Sequence, residues 1–315
     1  MTRIGDFDVL PLCLGGNVFG YTADRDASFA VLDAFHGGGG TFVDTADSYS
    51  AWAPGNSGGE SETIIGQWLA SRRPENAIVA TKVSQHPDFP GLSAANVRAA
   101  AEASLGRLGV DRIDLYYAHF DDPETPLAET VQAFGDLVSD GLVRAVGVSN
   151  YSADRIREWM RLSREQGVAE PVAIQPHYNL VHRADVEEHI APVAAEFALA
   201  VVPYFSLAKG FLTGKYRSAD AAGQASPRAA AAVSYATPKG LALIDAMTQI
   251  ADAHGTSVAA IALAWLRIQP TVAAPIASAS RVDQVVGLLD GARVDLAGDE
   301  IAALSELSAG GVGSA

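Results

Sequence analysis

The stretch that decides the fold is RIDLYYAHFDDPETPLAETVQAFGDLVSDGLVRAVGVSN, residues 112–150. Its first eight residues, 112–119, are β-rich and apolar, as in a strand that is buried on both faces. Residues 126–141 follow with a helical pattern that ends in glycine, and residues 143–150 form the next apolar strand. A strand, a helix and another apolar strand in this order predict one unit of a parallel sheet.

The same alternation extends in both directions from this unit. Further strands are predicted at LPLCLGG near residue 10 and at residues 41–46, 77–83, 171–176, 198–207 and 271–277. Helices are predicted at residues 25–36, 58–72, 93–109, 151–167, 184–197, 238–255, 257–269, 281–291 and 298–309, and a Gly/Ala/Ser-rich surface loop at 217–236. Eight apolar strands, each followed by helix, favour a (β/α)8 barrel, in which functional residues lie at the carboxyl ends of the strands.

A doubly wound open sheet is the structural alternative. Its usual G-x-G-x-x-G fingerprint directly after the first strand is absent, because GGNVFG at residues 15–20 is only a distant mimic. The glycine run at 37–40 lies at the end of a predicted helix, which is the wrong place for it. There is no internal repeat beyond the alternation and no plausible linker, so we expect one α/β domain over residues 1–315.

Composition excludes several classes of protein. The 315 residues are 49% apolar and 19% charged, which is enough to bury a sizeable core. A net charge of −15 makes nucleic acid a poor partner. Cys13 is the single cysteine, so a disulfide framework and a cysteine-based zinc site are excluded, and the histidines lack metal-ligand spacing. Because there is no signal peptide pattern and no long apolar run, we expect a cytoplasmic location and no membrane partner. We also expect no bound metal ion, and we expect a monomer.

Four titratable side chains lie at or just after the ends of three consecutive predicted strands. Asp44 and Tyr49 follow the second strand, Lys82 the third, and His119 the fourth. Adjacent strands lie about 5 Å apart, so these side chains can converge on one volume. An ammonium group beside a phenol favours the phenolate and lowers a pKa that is normally about 10. A carboxylate beside the lysine keeps it charged, and the site is suited to donating a proton to a carbonyl oxygen.

The remaining chemistry requires a cofactor. The sequence shows no evident nucleophile, because its single cysteine, Cys13, lies elsewhere. Reduction of a carbonyl group needs a hydride, which side chains cannot supply, so a nicotinamide cofactor is implied.

The chain resembles the aldo-keto reductase family along almost its whole length. The segments that carry the resemblance are GTFVDTADSY (40–49), ESETIIG (60–66), ATKV (80–83), IDLYYAH (113–119), VRAVGVSNY (143–151), IQPHYNL (174–180), VPYFSLAKGFLTGKY (202–216) and APIASASRVDQV (274–285). The resemblance implies a (β/α)8 barrel that reversibly reduces aldehydes and ketones with NADPH. It also implies a catalytic tetrad of Asp44, Tyr49, Lys82 and His119, with Tyr49 as the general acid.

The resemblance further implies how NADPH is held. Ser149, Asn150 and Gln175 would bind the nicotinamide carboxamide, and Tyr204 would stack on its ring. The pyrophosphate would lie along Phe205, Ser206, Leu207, Lys209 and Gly210. The adenosine 2′-phosphate would lie against Ser278, Ser280, Arg281 and Gln284 at the start of a helix, which is a favourable anion site and favours NADPH over NADH. Leu288 stands where the family often has an asparagine that contacts adenine.

Position alone suggests an apolar wall for the small-molecule carbonyl substrate. Phe19 follows the first strand, Trp52 lies in the loop after Tyr49, and Phe120 follows His119. Two rival hypotheses remain open. One is a regulatory subunit that binds the nicotinamide cofactor with little turnover, and the other is a barrel isomerase or lyase that works without a nicotinamide.

Overall fold

Parallel strands surrounded by helices make up the computed structural model, which describes residues 1–217 and 229–311. The strands in these residues are β1 Thr2–Ile4, β2 Phe7–Val9, β3 Cys13–Gly15, β4 Phe42–Asp44, β5 Ile78–Val83, β6 Gln85–His86, β7 Phe89–Pro90, β8 Ile113–Ala118, β9 Val143–Ser149, β10 Pro171–Gln175, β11 Ala200–Val201 and β12 Ile276–Ala277. The helices are α1 Arg25–Gly37, α2 Glu60–Arg72, α3 Ala94–Leu108, α4 Leu127–Ser139, α5 Ala153–Gln166, α6 Ala191–Glu196, α7 Ala229–Val233, α8 Pro238–His254, α9 Val258–Arg267, α10 Val282–Gly291 and α11 Gly298–Ser308.

Eight of the strands form one parallel sheet in the order β11-β10-β9-β8-β5-β4-β3-β12. The two end strands meet through a bridge between Val201 and Val272 and through the N–H of Ile276, which donates to the carbonyl of Pro203 at 2.8 Å. These bonds form a seam that closes the sheet into a cylinder. The predicted (β/α)8 barrel is therefore confirmed, and the open doubly wound sheet is excluded.

Helix ends follow the local sequence. Asp24 caps α1 by accepting a hydrogen bond from the N–H of Ala27, and Ser152 caps α5 in the same way. Gly109 and Gly167 end α3 and α5 in the left-handed conformation that glycine adopts without strain. The helix predicted at 184–197 differs, because residues 186–190 form a π-helical turn before α6. Pro192 in the following turn has no N–H to donate, which accounts for the interrupted α-helical ladder.

A β-hairpin that the sequence patterns did not predict closes the bottom of the barrel. Strands β1 and β2 pair across a two-residue turn. Ile4, Phe7 and Val9 are buried against residues inside the cylinder, including Phe42 and Tyr117. The hairpin covers this end, and the open cleft lies at the opposite end, where the strands have their carboxyl ends.

The surface loop predicted at 217–236 is only partly testable. Residues 218–228 lie outside the described residues. Beyond them the prediction is wrong at residues 229–233, which form α7.

Candidate active site

Lys82 lies at the centre of the candidate site, fully buried on β5. Its ammonium group donates to Asp44 Oδ2 at 2.7 Å, to the Thr45 carbonyl at 2.6 Å and to the Tyr49 hydroxyl at 2.9 Å. A buried ammonium group is costly without such acceptors, which explains why all three converge on it. Burial lowers the pKa of Lys82, and the charge of Asp44 opposes that shift.

Tyr49 lies in the loop after β4, half-buried at the edge of the cleft. Its hydroxyl accepts from Lys82 and donates to Asp44 Oδ2 at 3.4 Å. The next residue, Ser50, has a φ of 72° and donates from its hydroxyl to the Phe19 carbonyl at 2.7 Å. This left-handed residue and its hydrogen bond fix the direction of the loop, so the phenol is held above the lysine.

His119 follows β8, and its ring centroid lies 6.1 Å from that of Tyr49. Its backbone N–H donates to the Val83 carbonyl at 3.0 Å, and its carbonyl accepts from Asn150 Nδ2 at 2.9 Å. Burial, helped by the charge of Lys82, lowers the pKa of His119 well below its usual range. The imidazole is therefore neutral at pH 7, and its Nδ1 is a buried atom without a hydrogen-bond partner among the described residues.

Asp44 holds this group of side chains together. Besides Lys82 and Tyr49, it accepts a hydrogen bond on Oδ1 from Gln175 Nε2 at 2.9 Å. The resemblance implies that Gln175 binds a nicotinamide carboxamide, and in the structure its amide nitrogen also contacts the carboxylate of Asp44. The fold thus brings the four predicted catalytic residues together and adds a contact from Gln175 to Asp44 that sequence reasoning missed.

A cleft of about 920 Å³ opens above these residues, at the upper end of the usual size for small-molecule and cofactor sites. Lys82 lies beneath its floor. The predicted site residues that line it are Asp44, Tyr49, Trp52, His119, Phe120, Ser149, Asn150, Gln175, Tyr204, Phe205, Ser206, Leu207, Lys209, Gly210, Ser278, Ser280, Arg281 and Gln284.

A chain of hydrogen bonds orders the middle of the cleft. The Tyr204 hydroxyl donates to Asn150 Oδ1 at 2.7 Å, and Asn150 Nδ2 donates to Ser149 Oγ at 3.0 Å. Ser149 in turn donates to the Gln175 carbonyl at 2.9 Å. Tyr204 is thereby held with its ring at the cleft, stacked behind on His177 with ring centroids 5.4 Å apart. Burial, together with the charges of His182 and Lys209, lowers the pKa of His177 to about 4, so the ring behind Tyr204 is neutral.

Basic residues lie at the other end of the cleft, on the loops after β11 and β12. Lys209 has a left-handed φ of 58° within a 3-10 helix that spans Ala208–Thr213. Lys215 also lines the cleft, although sequence reasoning did not assign it a role. The matched segment VPYFSLAKGFLTGKY contains it, and this was the available signal. Among the residues that the structure describes, Lys209, Lys215 and Arg281 therefore line this end.

The first turn of α10 has its own internal contacts. Gln284 Oε1 accepts from the backbone N–H groups of Ser280 and Arg281, at 2.9 and 3.3 Å. The Arg281 guanidinium makes two hydrogen bonds to Asp283, at 3.0 and 2.9 Å, in an exposed ion pair. Ser278 donates to Asn17 Oδ1 at 2.8 Å. Leu288 is buried in the core, so it does not offer an adenine contact.

The predicted apolar wall needs one correction. Trp52 and Phe120 line the cleft with exposed rings. Phe19 does not, because its side chain is fully buried in the core beneath the loop. Tyr21, on the same loop, lines the cleft in its place.

Two further observations concern metal ligands and membrane spans in the part of the chain that the structure describes. In residues 1–217 and 229–311 no three His, Cys, Asp or Glu side chains are grouped closely enough to hold a metal ion. Over the same residues, no helix has both the length and the apolar character needed to span a bilayer.

Comparison with known proteins agrees with this geometry. The sequence model described as "Aldo/keto reductase family" matches residues 11–309. Norsolorinic acid reductase B of Aspergillus parasiticus is 29% identical, over 94% of this chain and 80% of that protein. Aldo-keto reductase str7 of Strobilurus tenacellus is 32% identical, over 92% of this chain and 83% of that protein. A probable voltage-gated potassium channel subunit beta of Oryza sativa subsp. japonica is 30% identical, over 85% and 82%. The chain therefore belongs to the aldo/keto reductase family.

Proposed function

We propose that this protein reduces an aldehyde or ketone to an alcohol, with NADPH as hydride donor and Tyr49 as general acid. The observation that supports this most strongly is the Tyr49 hydroxyl, which lies 2.9 Å from a fully buried ammonium group and beside the ring of His119. A phenol at such a place can deliver a proton to an oxygen in the cleft. The chemical nature of this group set, and its place at the mouth of the barrel, match carbonyl reduction.

Each of these residues has a separate role in one proton transfer. The carbonyl oxygen would lie between the Tyr49 hydroxyl and the neutral imidazole of His119, and bound NADPH would supply the hydride to the carbonyl carbon. Tyr49 gives its proton to the oxygen, which leaves a phenolate. The ammonium of Lys82 stabilises that phenolate at hydrogen-bond distance. Asp44 keeps the ammonium charged and fixed in direction, and Gln175 holds Asp44.

The cleft residues fit a nicotinamide dinucleotide. The ring of Tyr204 offers a flat face, and the amide and hydroxyl groups of Asn150 and Ser149 lie next to it. Lys209 and Lys215 provide positive charge where the pyrophosphate would lie. A protein with a net charge of −15 needs such a local basic region to bind a dinucleotide anion.

Selection of NADPH over NADH would depend on the first turn of α10. Ser278, Ser280 and Arg281 line the cleft there, and a 2′-phosphate finds hydroxyl donors, a guanidinium and a helix N-terminus. A bare ribose hydroxyl makes no comparable use of them.

The test is oxidation of NADPH with a panel of aldehydes by wild type and by Tyr49→Phe. We expect kcat/KM to fall by about 10²-fold or more in Tyr49→Phe, because it loses the general acid, while NADPH affinity stays the same. Tyr21→Phe removes the same atom from another tyrosine of the cleft and should keep its activity. Equal activity of wild type and Tyr49→Phe would refute the role of Tyr49.

A second candidate is a cofactor-binding regulatory subunit with little turnover. The similarity to proteins named voltage-gated potassium channel subunit beta supports this second candidate. The complete set of Asp44, Tyr49, Lys82 and His119 favours turnover instead. Tight NADPH binding without oxidation by any carbonyl of the panel would decide for the regulatory subunit.

A further inference from the structure

We infer that the substrate is an uncharged, planar aromatic carbonyl compound and that Trp52 is the surface on which its ring lies. This inference rests on the proposed function, and it concerns the half of the cleft that is formed by the loops after β3, β4, β5 and β8.

Five aromatic rings form a continuous row in this half of the cleft. Tyr21 contacts Trp52 edge-on with centroids 6.1 Å apart, and Trp52 contacts Tyr49 at 6.0 Å. Tyr49 contacts His119 at 6.1 Å, and His119 contacts Phe120 at 5.0 Å. These separations lie in the range in which rings attract one another. The two groups that hold the reacting oxygen are thus in the middle of the row, with an apolar ring on either side.

The two apolar rings that flank Tyr49 and His119 are open to a ligand. Trp52 is 53% exposed and Phe120 is 41% exposed, whereas the other three tryptophans are fully or almost fully buried. The loop that carries Trp52 is anchored on both sides, since Ser50 donates to the Phe19 carbonyl and Asn56 donates to the Gly20 carbonyl at 2.8 Å. Trp52 is therefore presented by a supported loop, and a planar aromatic ligand whose carbonyl reaches Tyr49 would cover its exposed face.

Charge in the same half of the cleft disfavours anionic substrates. Among the described residues that line the cleft, the cations are Lys209, Lys215 and Arg281, all on the loops after β11 and β12. The charge of Lys82 is buried and engaged by Asp44. A carboxylate or phosphate on the substrate would lose water in this half of the cleft without gaining a cation, so a neutral compound is favoured.

The first experiment compares a planar with a small aldehyde. For 2-naphthaldehyde, Trp52→Ala should raise KM about tenfold and leave kcat nearly unchanged, because an interaction common to ground and transition states is lost. For propanal, kcat/KM should stay within about twofold. Ile268→Ala, which truncates an exposed apolar residue outside the cleft lining, should change neither. Equal effects of Trp52→Ala on both aldehydes, or none on either, would overturn the inference alone. No turnover of any carbonyl by wild type would overturn the proposed function, and the inference with it.

The second experiment tests charge. Gln85 lines this half of the cleft and lies in β6, which follows β5. In wild type, methyl 4-formylbenzoate should have a higher kcat/KM than 4-formylbenzoate. Gln85→Lys should lower this ester-to-acid ratio of kcat/KM about tenfold. Dividing the ratio in the variant by the ratio in wild type cancels the different reactivities of the two aldehydes. Gln132→Lys makes the same change on the outer helix α4 and should keep the wild-type ratio. An unchanged ratio in Gln85→Lys would overturn the assignment of a neutral substrate.

Discussion

Replacing Asp47 with asparagine should reduce the loss of stability that the protein suffers as the pH rises. The side chain of Asp47 is fully buried, and among the described residues no side chain donates a hydrogen bond to its carboxylate oxygens. Burial, with the nearby charge of Glu62, raises the pKa of Asp47 from 3.8 to about 8. The folded protein thus keeps a proton on Asp47 at neutral pH.

The sign of the effect follows from proton linkage. Below pH 4 both folded and unfolded chains carry this proton, so Asp47 does not oppose folding. Between the two pKa values only the folded chain carries it, and rising pH favours the unfolded chain by about 1.4 kcal/mol per pH unit. From pH 5 to pH 8 the loss attributable to Asp47 is therefore about 4 kcal/mol.

The assay is urea unfolding of wild type and Asp47→Asn at pH 5 and at pH 8, followed by circular dichroism. The drop in the free energy of unfolding between the two pH values should be about 4 kcal/mol smaller in Asp47→Asn. The asparagine amide has its own burial cost, but that cost is the same at both pH values. Asp6→Asn, in the exposed turn between β1 and β2, should behave like wild type. If Asp47→Asn showed the full wild-type drop, the buried acid would not be protonated as argued.

Three further predictions concern charge and packing. Lys82→Met should lower the free energy of unfolding by about 3–5 kcal/mol, because the Asp44 carboxylate loses its cation; urea titration should show partial recovery in the Lys82→Met/Asp44→Asn double variant. Asp283→Asn frees the guanidinium of Arg281, so the affinity for NADPH should rise about three- to tenfold while the affinity for NADH stays the same. Quenching of protein fluorescence measures both affinities. Gly66→Ala should destabilise by about 1–3 kcal/mol, because its Cβ would lie 2.3 Å from a carbonyl oxygen of α3, whereas Gly106→Ala meets no atom and should not destabilise; melting temperatures compare the two.

Much of the barrel is visible in the sequence because its strands are buried on both faces. Apolar runs mark each strand, and the polar residue that ends a run must lie at the mouth. This reasoning places Asp44, Lys82 and His119 near one another before any distance is known. It cannot reveal that Gln175 donates to Asp44, since that contact joins residues on β4 and β10 and depends on side-chain rotamers.

Other features depend on details that periodicity does not carry. A residue in a loop gives no indication of which way its ring points, so the sequence predicts Phe19 at the cleft although it is part of the core. Likewise, the sequence alone predicts that the guanidinium of Arg281 is available to a phosphate, whereas in the fold it forms an ion pair with Asp283. The hairpin β1–β2 did have a signal, a two-residue Gly-Asp turn between short alternating runs.

The seam of the barrel has a consequence for how cofactor and fold depend on each other. Between β11 and β12 the cylinder is joined by a few backbone bonds around Val201 and Ile276, rather than by a long ladder. The loops leaving these two strands also carry Lys209 and Arg281. A dinucleotide that contacted both loops would link them and so stabilise the junction between β11 and β12. Heating the protein with and without such a ligand would then report on the seam itself, because only the closed cylinder can bind it.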